Sequence, residues 1–127
     1  MPPMRCVDLE RRRILVWGKN RMQGWLIFGP NTQKLLVQYI REVNPQGTLF
    51  GLNQWGVKSM LDRLGRKTDI HCNSHSFRRG FATELRRQGL SELDIAELGR
   101  WSSTAMVKRY SRAYTFEDAA SRYKAIV

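Results

Sequence analysis

The chain has 127 residues, which suits one domain at the usual ~100–200 residues each. Hydrophobic residues make up 42% of it, which excludes a disordered chain and allows one modest core. The 22 Lys and Arg residues exceed the 11 Asp and Glu residues, giving a net charge of +11. An excess of this size favours a polyanion partner such as nucleic acid, although a merely soluble basic protein has the same composition.

The cysteines and the apolar runs indicate a cytoplasmic protein without a metal or cofactor. Cys6 and Cys72 are two thiols in a chain with no visible targeting segment, which is typical of reduced cytosolic cysteines. No CxxC spacing is present, so zinc is not expected. The longest apolar runs, such as Ile14–Trp17, fall far short of the ~20 residues that a membrane span needs.

The first 28 residues are predicted to form β structure. Arg12–Trp17 and Gly24–Phe28 are rich in β-branched and aromatic residues. The polar segment 18–23 between them has the length of a hairpin turn or slightly more. This hairpin places Lys19 at an exposed tip.

From Pro30 onward the apolar spacing changes to that of a helix. The first predicted helix is capped by Asn31 or Thr32. Its apolar stripe consists of Leu35, Leu36, Tyr39, Ile40 and Val43. After a predicted short strand at Leu49–Phe50, a second helix begins at Asn53 and stops at Gly65. Its stripe consists of Val57, Met60, Leu61 and Leu64.

A third helix is predicted from a cap at Ser74 to a stop at Gly89. Its expected buried face consists of Phe77, Phe81, Ala82 and Leu85. Gly80 inside this helix costs about 1 kcal/mol relative to Ala, so we expect close packing against it.

Three shorter helices complete the chain. Ser91 and Asp94 form a capping box for the fourth helix, which Gly99 ends. The fifth begins near Ser102 or Ser103, with Met106, Val107 and Tyr110 on one stripe. Thr115 and Asp118 form a second capping box, for a terminal helix carrying Ala119, Tyr123 and Ile126. The predicted fold is α+β but mainly helical, a small N-terminal hairpin or three-stranded sheet followed by a helical bundle.

His75 and Arg78 are the first residues that point to a reaction. Residues three apart lie on the same face of a helix, so both side chains can reach one phosphate. Arg offers a fixed fork of donors for phosphate oxygens, and His can move a proton near neutral pH. The His-x-x-Arg pattern alone is common, and a solvated helix face is its ordinary explanation.

Several ordered motifs together give the pattern a more specific meaning. Residues 74–83 read SHSFRRGFAT, and residues 98–103 read LGRWSS. Tyr110 follows Trp101 by nine positions, and the chain starts with an Asp-Leu segment, a strand, Gly18-Lys19 and another strand. In this order and spacing, the motifs resemble the tyrosine recombinase, or phage integrase, family over nearly the whole chain.

The resemblance implies a role for five residues. Tyr110 resembles the nucleophile that attacks the scissile phosphate and leaves a 3′-phosphotyrosyl bond. Arg78 resembles the second of two arginines that bind the non-bridging oxygens, and Lys19 resembles the lysine that protonates the departing 5′-oxygen. His75 resembles the general acid or base. Trp101 takes the place of a His or Trp whose ring N–H can donate to a phosphate oxygen.

The resemblance also implies DNA contacts and a reaction that needs no metal or ATP. Arg21, Arg79, Arg100 and Arg109 are expected to bind the DNA. Cationic donors stabilise the charge that spreads over the phosphoryl oxygens, and a covalent tyrosine ester conserves the energy of the broken bond. Each site residue also has an ordinary explanation, since Tyr110 fits a core stripe and Lys19 is one turn cation among 22 cationic residues.

The match departs from the family at its start. The family's first arginine lies in a helix before the Asp-Leu segment, and Arg5, the nearest candidate, stands where the family has a structural residue. Residues 1–127 are therefore expected to be a recombinase catalytic domain lacking that upstream segment and the N-terminal DNA-clamping domain. The expected function is site-specific recombination or integration on double-stranded DNA, by an oligomer of up to four copies at the nucleoid. The alternatives are a non-catalytic DNA-binding remnant and a type IB topoisomerase-like enzyme.

Overall fold

The computed structural model describes residues 6–18 and 22–126, and the chain divides into two compact units, residues 1–57 and 58–127. Arg5, Lys19 and Arg21 lie outside the described residues. None of the described helices is both long and apolar enough to cross a membrane.

The first unit begins with an antiparallel sheet in the order β1-β2-β3. Its strands are β1 (Val7–Asp8), β2 (Arg13–Trp17) and β3 (Gln23–Ile27). The hairpin predicted from the sequence is confirmed, with each strand displaced by one residue at one or both ends. Leu15 pairs with Trp25 in it. The backbone N–H of Phe28 donates to the carbonyl of Arg12 at 3.0 Å, which closes the open end of the hairpin.

Helix α1 (Pro30–Val43) follows the sheet. The predicted caps Asn31 and Thr32 are wrong, because the helix already begins at Pro30 with Gly29 as its N-cap. Proline suits the first helical position, since the N–H that it lacks would have no partner there. The predicted apolar stripe is only partly correct: Leu36 is buried, whereas Leu35 and Val43 are exposed.

The predicted strand at Leu49–Phe50 is wrong, because these residues form a loop after α1. Leu49 is nevertheless fully buried. The hydroxyl of Tyr39 donates to the Leu49 carbonyl at 2.9 Å, and the rings of Tyr39 and Phe50 lie 5.3 Å apart. Tyr39 thus supports the loop from α1, in keeping with its predicted structural role.

Helix α2 (Gln54–Thr68) begins as the sequence predicts, because the Asn53 side chain accepts from the backbone N–H of Gly56 at 2.8 Å. Gly65 does not end this helix, which continues to Thr68. A methyl group at Gly65 would lie 3.0 Å from the carbonyl oxygen of Ile70. The glycine therefore makes room for the chain that returns over the helix.

The second unit is helical. It contains residues 58–68 of α2, followed by α3 (Ser74–Arg87), α4 (Glu92–Gly99), α5 (Thr104–Tyr110) and α6 (Phe116–Ala120). Helices α3, α4 and α5 all pack on one another around a core of Ala82, Ile95, Ala96 and Val107. Leu85, Leu90, Trp101 and Tyr110 are partly buried against this core. The predicted α+β, mainly helical fold is confirmed.

The predicted buried face of α3 needs correction at its aromatic positions. The core side of the helix is centred on Ala82, with Leu85 beside it. Phe77 lies five positions before Ala82, on the opposite side at ~100° per residue, and is 55% exposed. Phe81, which was also expected to be buried, is exposed as well. The expected close packing at Gly80 is also wrong, since no atom lies within 4 Å of a methyl group built there.

The last helix is shorter than predicted. Thr115 and Asp118 do form the reciprocal capping box at its start, but α6 ends at Ala120. Tyr123 and Ile126, which were expected on its packing stripe, lie beyond it and are exposed. A helix with no buried residue gains little from tertiary packing, so nothing favours its extension.

Candidate active site

The start of α3 is fixed by a side-chain cap one residue earlier than predicted. Asn73, rather than Ser74, is the N-cap, and its Oδ1 accepts from the backbone N–H of Ser76 at 2.8 Å. The amide nitrogen of Asn73 then faces Nε2 of His71 at 2.8 Å, so that ring nitrogen accepts. This local arrangement places His75, exposed, in the first turn of α3.

His75 and Tyr110, which are 35 positions apart, meet at this helix start. The Nδ1 atom of His75 and the hydroxyl of Tyr110 are 3.1 Å apart, within hydrogen-bond distance. Their rings lie 6.0 Å apart at an angle of 18°. Tyr110 is the last residue of α5 and is partly buried against the core, so its ring is packed while its hydroxyl reaches an exposed imidazole.

Trp101 forms the next wall of the site. Its ring stacks on Tyr110 at 5.4 Å and 21°, and it meets Phe81 edge-on at 6.2 Å and 72°. A methyl group at Gly99 would lie 2.9 Å from two carbon atoms of the Trp101 ring. Gly99 ends α4 as predicted, but Arg100 is the residue in the left-handed region, at φ 57°. The glycine therefore provides space for the tryptophan ring.

Three residues beside this site carry contacts that the sequence analysis missed. Arg86 donates from Nη1 to the hydroxyl of Ser111 at 3.1 Å, and its guanidinium carbon lies 4.1 Å from the centre of the Tyr114 ring. Ser111 follows Tyr110 directly and is fully buried. The available signal was helix periodicity, because Arg86 falls on the same face of α3 as His75 and Ala82.

A second polar cluster joins the end of α3 to α6. Arg87 contacts Glu84 at 2.8 Å and Asp118 at 3.1 Å. The backbone N–H of Thr115 and the Arg87 guanidinium hold the pKa of the Asp118 carboxyl below its usual range. The hydrogen bonds to Glu84 and Asp118 raise the pKa of Arg87 above its ordinary value.

The remaining predicted site residues lie around His75, Tyr110 and Trp101 without joining them. Arg78 is exposed one turn after His75 and has no hydrogen-bond or ion-pair partner among residues 6–18 and 22–126. Arg79 donates to the Ser76 hydroxyl at 3.3 Å. Arg109 is exposed in the last turn of α5, and Arg100 caps α4.

Two of the predicted site residues, Lys19 and Arg21, fall outside the described part of the chain. Within that part, no group of three or more His, Cys, Asp or Glu side chains comes together as metal ligands do.

Residues 3–116 match the model of the phage integrase family. The chain belongs to this family. Over 93 residues it is 31% identical to the tyrosine recombinase XerA of Saccharolobus solfataricus. The matched segment covers 72% of this chain and 32% of that protein. A crystal structure of XerA recombinase superposes on 98% of the chain with a TM-score of 0.82 at 20% identity, and so shows the same fold.

The resemblance to tyrosine recombinases read from the sequence is thus confirmed. The chain of this phage integrase family member spans about a third of the curated relative's length. It spans 52% of the solved XerA chain.

Proposed function

We propose that this phage integrase family member cuts and rejoins DNA in site-specific recombination, with Tyr110 as the nucleophile. The single observation that carries the proposal is the 3.1 Å approach of the Tyr110 hydroxyl to Nδ1 of His75. A phenol is a weak nucleophile at neutral pH until a base takes its proton, and a base within hydrogen-bond reach is what that step requires. In this proposal, residues 1–127 form part of the catalytic domain.

The proposed first step exchanges one phosphoester for another. The neutral His75 imidazole, protonated at Nε2, accepts the Tyr110 proton at Nδ1 as the phenol oxygen bonds to phosphorus. The bond from phosphorus to the 5′-oxygen breaks, and that oxygen takes a proton from Lys19. The products are a 3′-phosphotyrosyl protein and a free 5′-hydroxyl. The reverse attack by a 5′-hydroxyl of another strand rejoins the DNA without ATP.

Arg78 and Trp101 are proposed to stabilise the charge of this transition state. The Arg78 guanidinium is exposed and has no partner among the described residues, so its donors are available to the non-bridging oxygens. The Trp101 ring stacks on Tyr110 at 5.4 Å, and its indole N–H is proposed as a donor to a phosphate oxygen. Arg21, Arg79, Arg100 and Arg109 are proposed to bind the DNA backbone, with several copies of the protein assembling on one site.

A covalent trapping experiment tests the nucleophile. The chain is incubated with a pool of nicked duplexes of randomised sequence, whose short cleaved strand diffuses away and traps the adduct. We expect a protein–DNA adduct that mass spectrometry maps to Tyr110. Tyr110→Phe keeps the ring, so DNA binding is retained while the adduct is lost. Tyr39→Phe and Tyr123→Phe are matched controls that keep the adduct.

Two results would separate this proposal from its alternatives. DNA binding without any adduct, from the chain or from a version extended to the length of its relatives, favours the non-catalytic DNA-binding protein. Relaxation of supercoiled DNA without exchange between duplexes favours a type IB topoisomerase-like enzyme. We propose that the family's first arginine has no counterpart among these 127 residues, and loss of one preorganised donor typically costs ~10²–10³ in rate. We therefore expect slow cleavage by the chain alone and faster cleavage by the extended version.

A further inference from the structure

Helix α3 holds the end of α5 at two separate points. His75, Arg79, Ala82 and Arg86 recur at helical spacing and share one face of α3. His75 and Arg86 are eleven positions apart, roughly 16 Å along the axis at ~1.5 Å per residue. One contacts the side chain of Tyr110, and the other contacts the side chain of the next residue, Ser111.

The hydrogen bonds of the Ser111 hydroxyl require a donor as its second partner. Its side chain is fully buried, so its hydroxyl must be satisfied within the protein. The hydroxyl donates its hydrogen to the carbonyl oxygen of Val107 at 2.6 Å. The hydroxyl oxygen can then only accept a further hydrogen bond. The Arg86 guanidinium, which only donates, supplies that bond at 3.1 Å.

Arg86 is itself held from a second side. Its guanidinium lies over the ring of Tyr114 at 4.1 Å, a cation–π geometry. The side chain is partly buried, so its charge is less exposed to solvent than that of its neighbour Arg87. Ser111 and Tyr114 both follow Tyr110 within four residues, so this one arginine fixes the chain immediately after the proposed nucleophile.

The other contacts of α5 restrain Tyr110 less specifically. The helix has seven residues, and Val107 is its one buried side chain. Apolar packing at Val107 is not directional, and stacking on Trp101 orients the Tyr110 ring without holding the chain after it. The ion pair from Lys108 of α5 to Glu92 is long, at 4.0 Å, and its lysine is exposed, so it restrains the helix weakly. A charged fork donating to a buried hydroxyl has a defined geometry, which makes it the sharper restraint.

We propose that Arg86 is a positioning residue for Tyr110. By fixing Ser111, it sets the distance between the Tyr110 hydroxyl and Nδ1 of His75. The consequence for the reaction rests on the function proposed above, whereas the positioning itself is a property of the free protein.

Arg87 supplies a matched control. It is the next residue of the same helix and carries the same charge, but it is bonded to Glu84 and Asp118 and not to α5. Arg87→Met therefore removes an arginine from α3 without touching Ser111 or Tyr114. The test variants are Arg86→Met and Ser111→Ala, with Arg86→Lys as the conservative replacement.

The first readout uses the full chain without DNA. The ring ¹⁵N shift of His75 is measured by NMR with and without Tyr110→Phe, which removes the hydroxyl that meets Nδ1. In the wild-type background and in Arg87→Met, we expect the substitution to move the Nδ1 resonance. In Arg86→Met and Ser111→Ala, most of that response should be lost, because the hydroxyl has already moved away. Arg86→Lys should keep part of it.

The second readout is the rate of adduct formation on saturating nicked DNA, measured beside the dissociation constant. A misplacement of the reacting group by about 1 Å can cost ~10²-fold in rate. We expect Arg86→Met and Ser111→Ala to form the adduct ~10- to 100-fold more slowly with unchanged DNA affinity. Arg87→Met should keep the wild-type rate.

The outcomes distinguish the two proposals. If the His75 response to Tyr110→Phe is the same in Ser111→Ala and Arg86→Met as in the wild type, the positioning role is overturned, even if both variants melt at lower temperature. If that response is lost but the wild-type protein forms no adduct, the positioning role holds and the proposed reaction fails. Should Arg86→Met not fold, Ser111→Ala decides, since it removes a single oxygen atom.

Discussion

The two ends of helix α3 differ in how they are held. At the start, His75 is exposed and shares one hydrogen bond with Tyr110. At the end, Arg86 and Arg87 are tied to the segment after α5 and to α6 by hydrogen bonds, an ion pair and a ring contact.

The difference shows how a small helical unit combines access with fixed geometry. Groups that meet a large substrate must remain open to solvent, so few contacts within the protein can hold them there. The position of such groups then has to be set by contacts elsewhere in the protein. A rigid helix can link those contacts at one of its ends to the exposed groups at the other. If this comparison holds, changes at the start of α3 should act on the reaction, and changes at its end should act on stability or on positioning.

The largest effect is expected from Arg78→Ala at the start of α3. The proposed role of this guanidinium is to stabilise transition-state charge, so its removal should slow adduct formation by ~10²–10³-fold. Stability should change little, because Arg78 is exposed and has no partner among the described residues. Adduct formation and a urea melt are measured on the same samples. A wild-type rate would contradict the role assigned to Arg78.

Gly99→Ala should act on the same region through Trp101. The added methyl group would lie 2.9 Å from the Trp101 ring, and overpacking of this kind typically costs about 1–3 kcal/mol. The ring would also be displaced from Tyr110, so adduct formation should slow as well. Urea unfolding monitored by tryptophan fluorescence gives the change in stability.

Gly80→Ala is the control for this substitution. A methyl group at Gly80 meets no atom within 4 Å, so alanine should raise the free energy of unfolding by up to about 1 kcal/mol through its higher helix propensity. The opposite signs at the two glycines are the expected result. Equal destabilisation at both would show that the space beside Gly99 is not what matters.

A smaller effect is expected on DNA affinity when an arginine is removed at either end of helix α3. The net charge of +11 predicts that binding weakens as salt rises, because phosphate contacts release counterions. Arg79→Ala, near the start of α3, should reduce the slope of log affinity against log salt by about 1. Arg87→Ala, which removes the same charge at the far end, should leave the slope unchanged. Equal slopes for the two variants would mean that the DNA does not distinguish the ends.

The smallest effect concerns acid stability at the end of α3. The pKa of Asp118 is lowered by the backbone N–H of Thr115 and by Arg87. Its contribution is therefore fully present above the ordinary aspartate pKa of ~3.9 and is lost as pH falls through the lower folded value. Asp118→Asn should melt below the wild type at pH 7, and the two melting temperatures should converge in acid. A constant difference at every pH would indicate a contribution of Asp118 that does not depend on its charge.

Local hydrogen bonds explain which parts of the fold could be predicted from sequence. The caps at Asn53, Ser91 and Thr115 were correct because a short polar side chain bonds to a backbone N–H two or three residues later. The exposure of Phe77 and Leu35 was not predictable in this way. Periodicity shows that a helix has an apolar face, but not which neighbouring element covers each position of it.

The candidate site also contains residues that the sequence predicted and contacts that it did not. The spacing from Trp101 to Tyr110 and the family resemblance predicted three residues that the structure brings together, His75 being the third. Helix periodicity places Arg86 on the face of α3 that carries His75 and Ala82, but the bond between Arg86 and Ser111 depends on how α3 packs against α5, which periodicity does not encode. The chemical roles of all these residues remain predictions.

The burial of Ser111 also bears on the choice of Tyr110 as the proposed nucleophile. An aliphatic alcohol stands next to Tyr110 in the chain, and an alcohol needs an accessible lone pair and a base before it can attack phosphorus. Ser111 has neither, because its side chain is fully buried, its hydrogen is given to Val107 and its oxygen accepts from Arg86. In the proposed reaction, the burial of Ser111 therefore prevents a serine ester from competing with the tyrosine ester at the neighbouring position, whatever the difference in acidity between the two hydroxyls.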